Sequence, residues 1–392
     1  MSTITKPKLR PDNPNFSCGP CRKPPGWTVA ALSNALTGRS HRSSEGRARL
    51  ALVIERTISL LKLPPGFRIA IVPGSDTGAF EMCLWSMLGA RPVDVLAWES
   101  FGKVWVRDIV AELKLGNVRV VEAEFGALPD LAGVDFAADV VFTANGTTSG
   151  VSIPSYDWIA RDRGGLTLID GTSALFAQPV DWAKVDVMTF SWQKALGGEA
   201  QHGMLILSPR AIERLETYQA PWPLPKLFRL TRDGRLNEAL FEGETINTPS
   251  MLAVEDFLAS LDWAQSIGGI DALCDRARAN AWVLFDWIGR TGWVRNLAVD
   301  PATWSTSSVC LDFADARVRD LGPASRRVFA LGMARMLADE GVAFDINSYR
   351  DAPPGLRIWT GPTVERQDLE RLTLWLDWAY DRSAAGLDQN GS

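Results

Sequence analysis

Between residues 68 and 207 the chain alternates short apolar runs with longer stretches whose apolar residues recur at helical spacing. The runs are RIAIV (68–72), VDVLAW (93–98), VRVVEA (118–123), DVVFTA (139–144), LTLID (166–170), VDVMTF (185–190) and GMLILS (203–208). Most are apolar throughout instead of alternating, the pattern of strands covered on both faces in a mainly parallel sheet. GAFEMCLWSMLGA and FGKVWVRDIVAELKLG between them read as amphipathic helices that stop at a glycine. The pattern predicts an α/β layered domain with a seven-stranded, mainly parallel sheet between helices.

Beyond residue 245 the character changes. TINTPSMLAVEDFLASLDWAQSIGG reads as a long connecting helix, and helices are expected over 271–290, 324–340 and 364–382. SSVCLDF (307–313), VAFDI (342–346) and GLRIW (355–359) read as strands. This mixed order predicts a smaller α+β domain, with the division expected at 1–260 and 261–392. A chain of 392 residues has room for two such units, because single cores stop growing near ~250 to 300 residues.

Composition narrows the function. The net charge of −5 gives none of the basic footprint of nucleic-acid binders. No apolar stretch reaches the roughly 18 residues of a membrane span, and MSTITKPKLRPDNPNF lacks the apolar core of a signal peptide. A cytoplasmic protein without nucleic-acid or membrane partners is the expectation. Two histidines, His41 and His202, are too few for a His-rich metal site, so no metal is expected. Cys18 and Cys21 form a C-x-x-C in a Pro/Gly-rich arm, without the strand and helix a redox motif requires.

The chemistry concentrates at two strand ends. Asp170 closes LTLID, and Lys194 follows VDVMTF in SWQKALGG. Ligands of open α/β sheets gather at the carboxyl ends of strands. An amine and a carboxylate placed there suit a pyridoxal phosphate site, where the amine forms a Schiff base and the carboxylate keeps the ring nitrogen protonated. A capping Asp and a solvent-facing Lys are the plain alternative. PGSDTGAFE (73–81), after the first strand, offers a helix N-terminus for a phosphate, or a Ser75 or Asp76 that simply caps the helix. No G-x-G-x-x-G follows a strand, so a nicotinamide site loses its main support.

These residues lie within segments that resemble the phosphoserine aminotransferases of the class V, fold type I group of pyridoxal phosphate enzymes. The resemblance runs through NFSCGP (15–20), SHRS (40–43), FGKVW, NGTTSG (145–150), LIDGTS, SWQK, INTPS (246–250) and YRDAPPGLRIW (349–359). It implies that Lys194 carries the cofactor and Asp170 pairs with its ring nitrogen. Trp105 would stack on the ring, Thr147 would bond near the ring oxygen, and Gln193, Asp76 and Thr77 would hold the phosphate. Asn247 and Thr248 would reach that phosphate from a neighbouring subunit, making the active unit a homodimer.

The resemblance further gives Arg357 the substrate α-carboxylate, and His41, Arg42 and Arg350 the distal anion, the first two from the partner chain. Arg suits carboxylate and phosphate because its planar guanidinium bonds them with paired N–H donors. The implied reaction moves the amino group of L-glutamate to 3-phosphohydroxypyruvate, yielding O-phospho-L-serine and 2-oxoglutarate in serine biosynthesis. A related phosphorylated substrate in vitamin B6 synthesis, 4-phosphohydroxy-L-threonine, is also implied. Two features depart from the commoner pattern: Asp76 and Thr77 stand where many members have Gly and Arg, and one extra residue separates Arg350 from Arg357. A cysteine desulfurase would need a mobile nucleophilic cysteine, and a regulator would need a basic helix-turn-helix module; neither is legible.

Overall fold

The computed structural model describes residues 4–390. After an irregular N-terminal arm, α1 (Ser44–Leu61) starts where Ser43 Oγ accepts the Gly46 amide and stops at Lys62 in the left-handed conformation. Then follow β1 (Arg68–Pro73), α2 (Ser75–Met87), β2 (Val93–Ala97), α3 (Ser100–Arg107), β3 (Val118–Glu122), β4 (Asp139–Thr143), β5 (Thr167–Asp170), β6 (Val187–Ser191) and β7 (His202–Leu207). All seven apolar runs become strands of one sheet, in the order β1-β7-β6-β5-β4-β2-β3. Strands β6, β5, β4, β2 and β3 pair in parallel, while β7 runs antiparallel to both β1 and β6. The inner strands are buried residue after residue, as their unbroken apolar runs require. VRVVE is half exposed because β3 is an edge strand.

A helix α4 (Pro209–Thr217) packs back on the sheet through a buried ion pair, Arg214 to Asp139, at 2.7 Å and 3.0 Å. Farther on come α5 (Met251–Ser266), α6 (Gly269–Gly289), β8 (Val294–Asn296), β9 (Ser308–Phe313), α7 (Pro323–Asp339), β10 (Leu356–Trp359) and α8 (Arg366–Asn390). Strands β8, β9 and β10 form a second, antiparallel sheet. The expected boundary at 260/261 falls inside α5, which runs unbroken through it.

Three local expectations need correction. The connecting helix begins at Met251, because Ser250 Oγ caps the Ala253 amide and the preceding Pro249 resists helical backbone before it. VAFDI is not a strand: Asp345 turns left-handed at φ 58°, and the Phe344 amide bonds Pro14 of the N-terminal arm. The third strand of that sheet, on the side of β9 away from β10, is instead the three-residue VRN at 294–296, too short to register as a run. Finally, α3 ends at Arg107 and a five-residue π-helical turn follows over Asp108–Glu112.

Candidate active site

Asp170 lies opposite Thr189 in the parallel pairing of β5 with β6, so both strands open at the same edge of the sheet. Asp170 is the last residue of β5, and Lys194 follows β6 in a turn closed by the Gly197 amide on the Lys194 carbonyl, 2.9 Å. Gly197 has φ 66°, and a Cβ there would stand 2.2 Å from the Arg22 carbonyl. Glycine therefore lets the N-terminal arm cross directly over the turn. The arm is pinned on both sides, by the Cys21 amide on the Gln193 carbonyl (2.8 Å) and the Trp359 amide on the Phe16 carbonyl (3.0 Å). Lys194 Nζ donates to the Cys18 carbonyl at 2.6 Å. The lysine and Asp170 are both buried, so the solvent-facing alternative for Lys194 does not hold.

The carboxylate of Asp170 accepts the Thr172 amide at 3.0 Å and Trp105 Nε1 at 3.1 Å. Burial pushes its acidity towards the neutral form, and these donors together with the Lys194 charge pull the other way. Trp105 is buried on α3 against Phe80, ring centroids 4.8 Å apart. The start of α3 is set by Glu99, whose carboxylate caps the Gly102 amide (2.6 Å) and accepts the Thr148 hydroxyl (2.8 Å). Glu99 is wholly buried, and that burial pushes its pKa up to about 7. Beside it, Thr147 donates to Ser173 Oγ at 2.7 Å.

Helix α2 begins at Gly74 (φ 83°) followed by Ser75 (φ 54°), and no side chain caps it. The expected capping role of Ser75 or Asp76 is therefore absent, which leaves first-turn amides for another acceptor. A cleft of about 310 Å³ opens at this end, lined by Ser75, Gln193, Gln201, His202 and Asn247 among others. Gln193 Oε1 is buried there without a partner. Thr77 and Thr248 are exposed. Asn247 also lines this cleft. The Asp76 side chain does not point to this cleft. It is buried and turned onto Asp170, away from the supposed phosphate cup.

Arg357 lies on β10 opposite Cys310, with its guanidinium 5.7 Å from the Tyr349 ring centroid. Its charge reaches the Cys18 thiol in the arm over Lys194, although burial dominates and raises that thiol. Its Nε is buried without a partner. Arg350 stands 5.7 Å from the same ring but is exposed, paired with Asp351 at 3.3 Å. Tyr349 in turn packs on Phe101 at 5.4 Å. His41 and Arg42 occupy the turn before α1, and neither bonds to Lys194, Asp170 or Arg357 within the chain. His41 is held below the usual histidine range by burial and by Arg42.

Sequence reasoning missed Glu99, Thr172, Tyr349 and the Cys18 carbonyl. Thr172 and Tyr349 carried a signal, since they lie inside LIDGTS and YRDAPPGLRIW, and Glu99 adjoins the run at 93–98; the arm's crossing over Lys194 carried none. His202 lines the cleft, accepts the Ser250 amide at 3.2 Å and stacks on Trp192. Cys310 sits on a strand with its thiol raised by burial, unlike a mobile nucleophile.

An amine at a strand end, a carboxylate held by donors that favour its charge, a buried indole and an uncapped helix N-terminus fit a flat, phosphorylated, carbonyl-bearing cofactor. The family described as aminotransferase class-V matches residues 133–325, which include Asp170 and Lys194. The chain is 55% identical to the phosphoserine aminotransferase of Methanosarcina mazei, over 96% of this chain and 99% of that protein. The Methanosarcina barkeri protein of the same name is 54% identical over equal shares. The chain belongs to the phosphoserine aminotransferases. A phosphoserine aminotransferase structure from Cytophaga hutchinsonii shares the fold with a TM-score of 0.79 at 21% identity, covering 93% of this chain and 98% of that one. An alanine–glyoxylate aminotransferase from Nostoc gives 0.76 at 17% identity over 96% and 97%, so the fold alone does not select the substrate.

Proposed function

We propose that the chain moves the amino group of L-glutamate to 3-phosphohydroxypyruvate, giving O-phospho-L-serine and 2-oxoglutarate, with pyridoxal phosphate as cofactor. The observation that carries this reading is the buried cluster of Lys194, Asp170 and Trp105 in a chain so similar to a named phosphoserine aminotransferase. When bound, the cofactor supplies a ring that accepts electrons as the substrate's α-carbon loses its proton.

Lys194 is the amine that anchors the cofactor and, once free, the base and acid at the substrate α-carbon. Its Nζ donates to the Cys18 carbonyl of the N-terminal arm. Asp170 holds the proton at the ring nitrogen, oriented by Trp105 and Thr172. Trp105 also covers the ring, and Thr147 bonds beside it. Gln193, Thr77 and the Asp76 backbone amide hold the phosphate at the start of α2, joined by Asn247 and Thr248 from a neighbouring subunit. Arg357 takes the α-carboxylate, and Arg350 the distal anion together with His41 and Arg42. Because His41 and Arg42 do not join the cluster within one chain, we assign them to the site of a second copy in a homodimer.

Serine biosynthesis in the cytoplasm, with a further role on 4-phosphohydroxy-L-threonine in vitamin B6 synthesis, completes the reading. No helix among the described residues is long and apolar enough to cross a membrane. The test is an amino-transfer assay with cofactor-loaded protein, O-phospho-L-serine and 2-oxoglutarate. Glutamate formation that depends on the phosphate of the donor supports the reading. Equal rates with L-serine or L-alanine would move the function to a different aminotransferase.

A further inference from the structure

Asp76 has an unexpected setting. It lies in the first turn of α2, where a carboxylate ordinarily faces outward to meet free amides or the positive end of the helix dipole. Here it makes no cap and is buried, with its carboxyl turned onto that of Asp170 and the hydroxyls of Thr172 and Thr189 nearby. Its Oδ1 has no donor at all. Two buried carboxyl groups in contact cannot both stay ionised, so at least one proton is shared between them.

The two sites differ in what they offer an anion. Asp170 has a donor on each oxygen, the Thr172 amide and Trp105 Nε1, and it feels the Lys194 charge. The charged neighbour of Asp76 is Asp170, another acid. A bound proton therefore resides on Asp76 and is donated to Asp170. Resting on the cofactor reading above, we propose that Asp76 is a positioning residue: it holds the shared proton, so that the pair presents one negative charge, on Asp170, to the ring nitrogen of the cofactor.

The direction of the acidity shifts agrees. Burial first, and the Asp170 charge second, push Asp76 well above the usual carboxylate range. The other titratable groups around the pair are Lys194 beyond β6, Glu99 at the start of α3 and Cys83 on α2 itself. Cys83 is raised by burial and by Asp76, and Glu99 feels Asp170, so none of these neighbours except Lys194 is a cation. This arrangement also accounts for an acid at a position where a phosphate cup has no use for one: the side chain serves the far end of the cofactor, and only the backbone amide faces the phosphate.

The test begins with full-length cofactor-free protein labelled with ¹³C-aspartate, whose infrared spectrum at neutral pH separates protonated from ionised carboxyl groups. The wild type is expected to show a protonated aspartate band that both Asp76→Asn and Asp76→Ala remove. No such band, or a band surviving in both variants, overturns the proposal. Cofactor retention then separates positioning from simple packing. Asn keeps a donor to Asp170 and should hold the cofactor within about threefold of wild type, whereas Ala, which lacks one, should lose about ten- to hundredfold, as for a hydrogen bond to a charged group. Equal losses in both variants, or none in either, also overturn it. Failure of the wild type to bind the cofactor would instead count against the functional reading, leaving the infrared result to decide the proton.

Discussion

Glu99→Gln tests the electrostatics of the site in a way that packing alone cannot imitate. Glu99 is fully buried, and its carboxyl, ordinarily near 4.5, is pushed up to about 7 by that burial, despite donors from Gly102 and Thr148. The folded state therefore holds this proton more tightly than the unfolded chain. Stability from the protonated acid is fully present below the unfolded value and is lost as pH rises through about 7. With one pK unit equal to about 1.4 kcal/mol, the loss between about pH 5 and pH 8 is about 2 to 3 kcal/mol. Gln is neutral at every pH and keeps an oxygen for the Gly102 amide. The assay is urea denaturation of both proteins across this range, so that contributions from all other groups cancel in the difference. Near pH 5 the two should be close, and by pH 8 the variant should be more stable by about 2 to 3 kcal/mol. Parallel stability curves for the two proteins would refute the reasoning.

Other outcomes follow from particular contacts. Trp105→Phe keeps a ring but removes the bond to Asp170 and should weaken cofactor retention about ten- to hundredfold in equilibrium dialysis, the cost of a hydrogen bond to a charged group. Asp139→Ala strands the buried Arg214 and should lower stability by about 3 to 5 kcal/mol, read from the shift in denaturation midpoint. Arg357→Lys replaces a paired donor with a point charge and should lower kcat/KM about tenfold or more with unchanged circular dichroism. His41→Ala mixed with Lys194→Ala should recover measurable activity through mixed dimers if His41 serves the partner's site; absence of complementation would put His41 in its own chain's chemistry.

Much of this was legible in the residues. Most of the seven strands were visible because strands covered on both faces need nearly unbroken apolar runs, and Asp170 and Lys194 stood out because strand ends are marked by where those runs stop. What escaped notice depends on contacts distant in sequence. The crossing of Cys18 and Arg22 over the Lys194 turn joins segments about 175 residues apart, and no local pattern records it. VAFDI has the composition of a strand, yet Asp345 turns left-handed and the arm takes the bonding groups of Phe344. Asp76 shows the same limit at the site. Its position at a helix start was readable, but the side chain's inward turn follows from how α2 packs over β5 and β6.

The central claim is that Lys194 carries the cofactor and exchanges it with substrate. Borohydride reduction of the cofactor-loaded protein, followed by peptide mapping, addresses it directly. The account predicts the reduced cofactor on the peptide containing Lys194, and loss of that label when O-phospho-L-serine is added before reduction. A label on another lysine, or one that O-phospho-L-serine leaves in place, would contradict it.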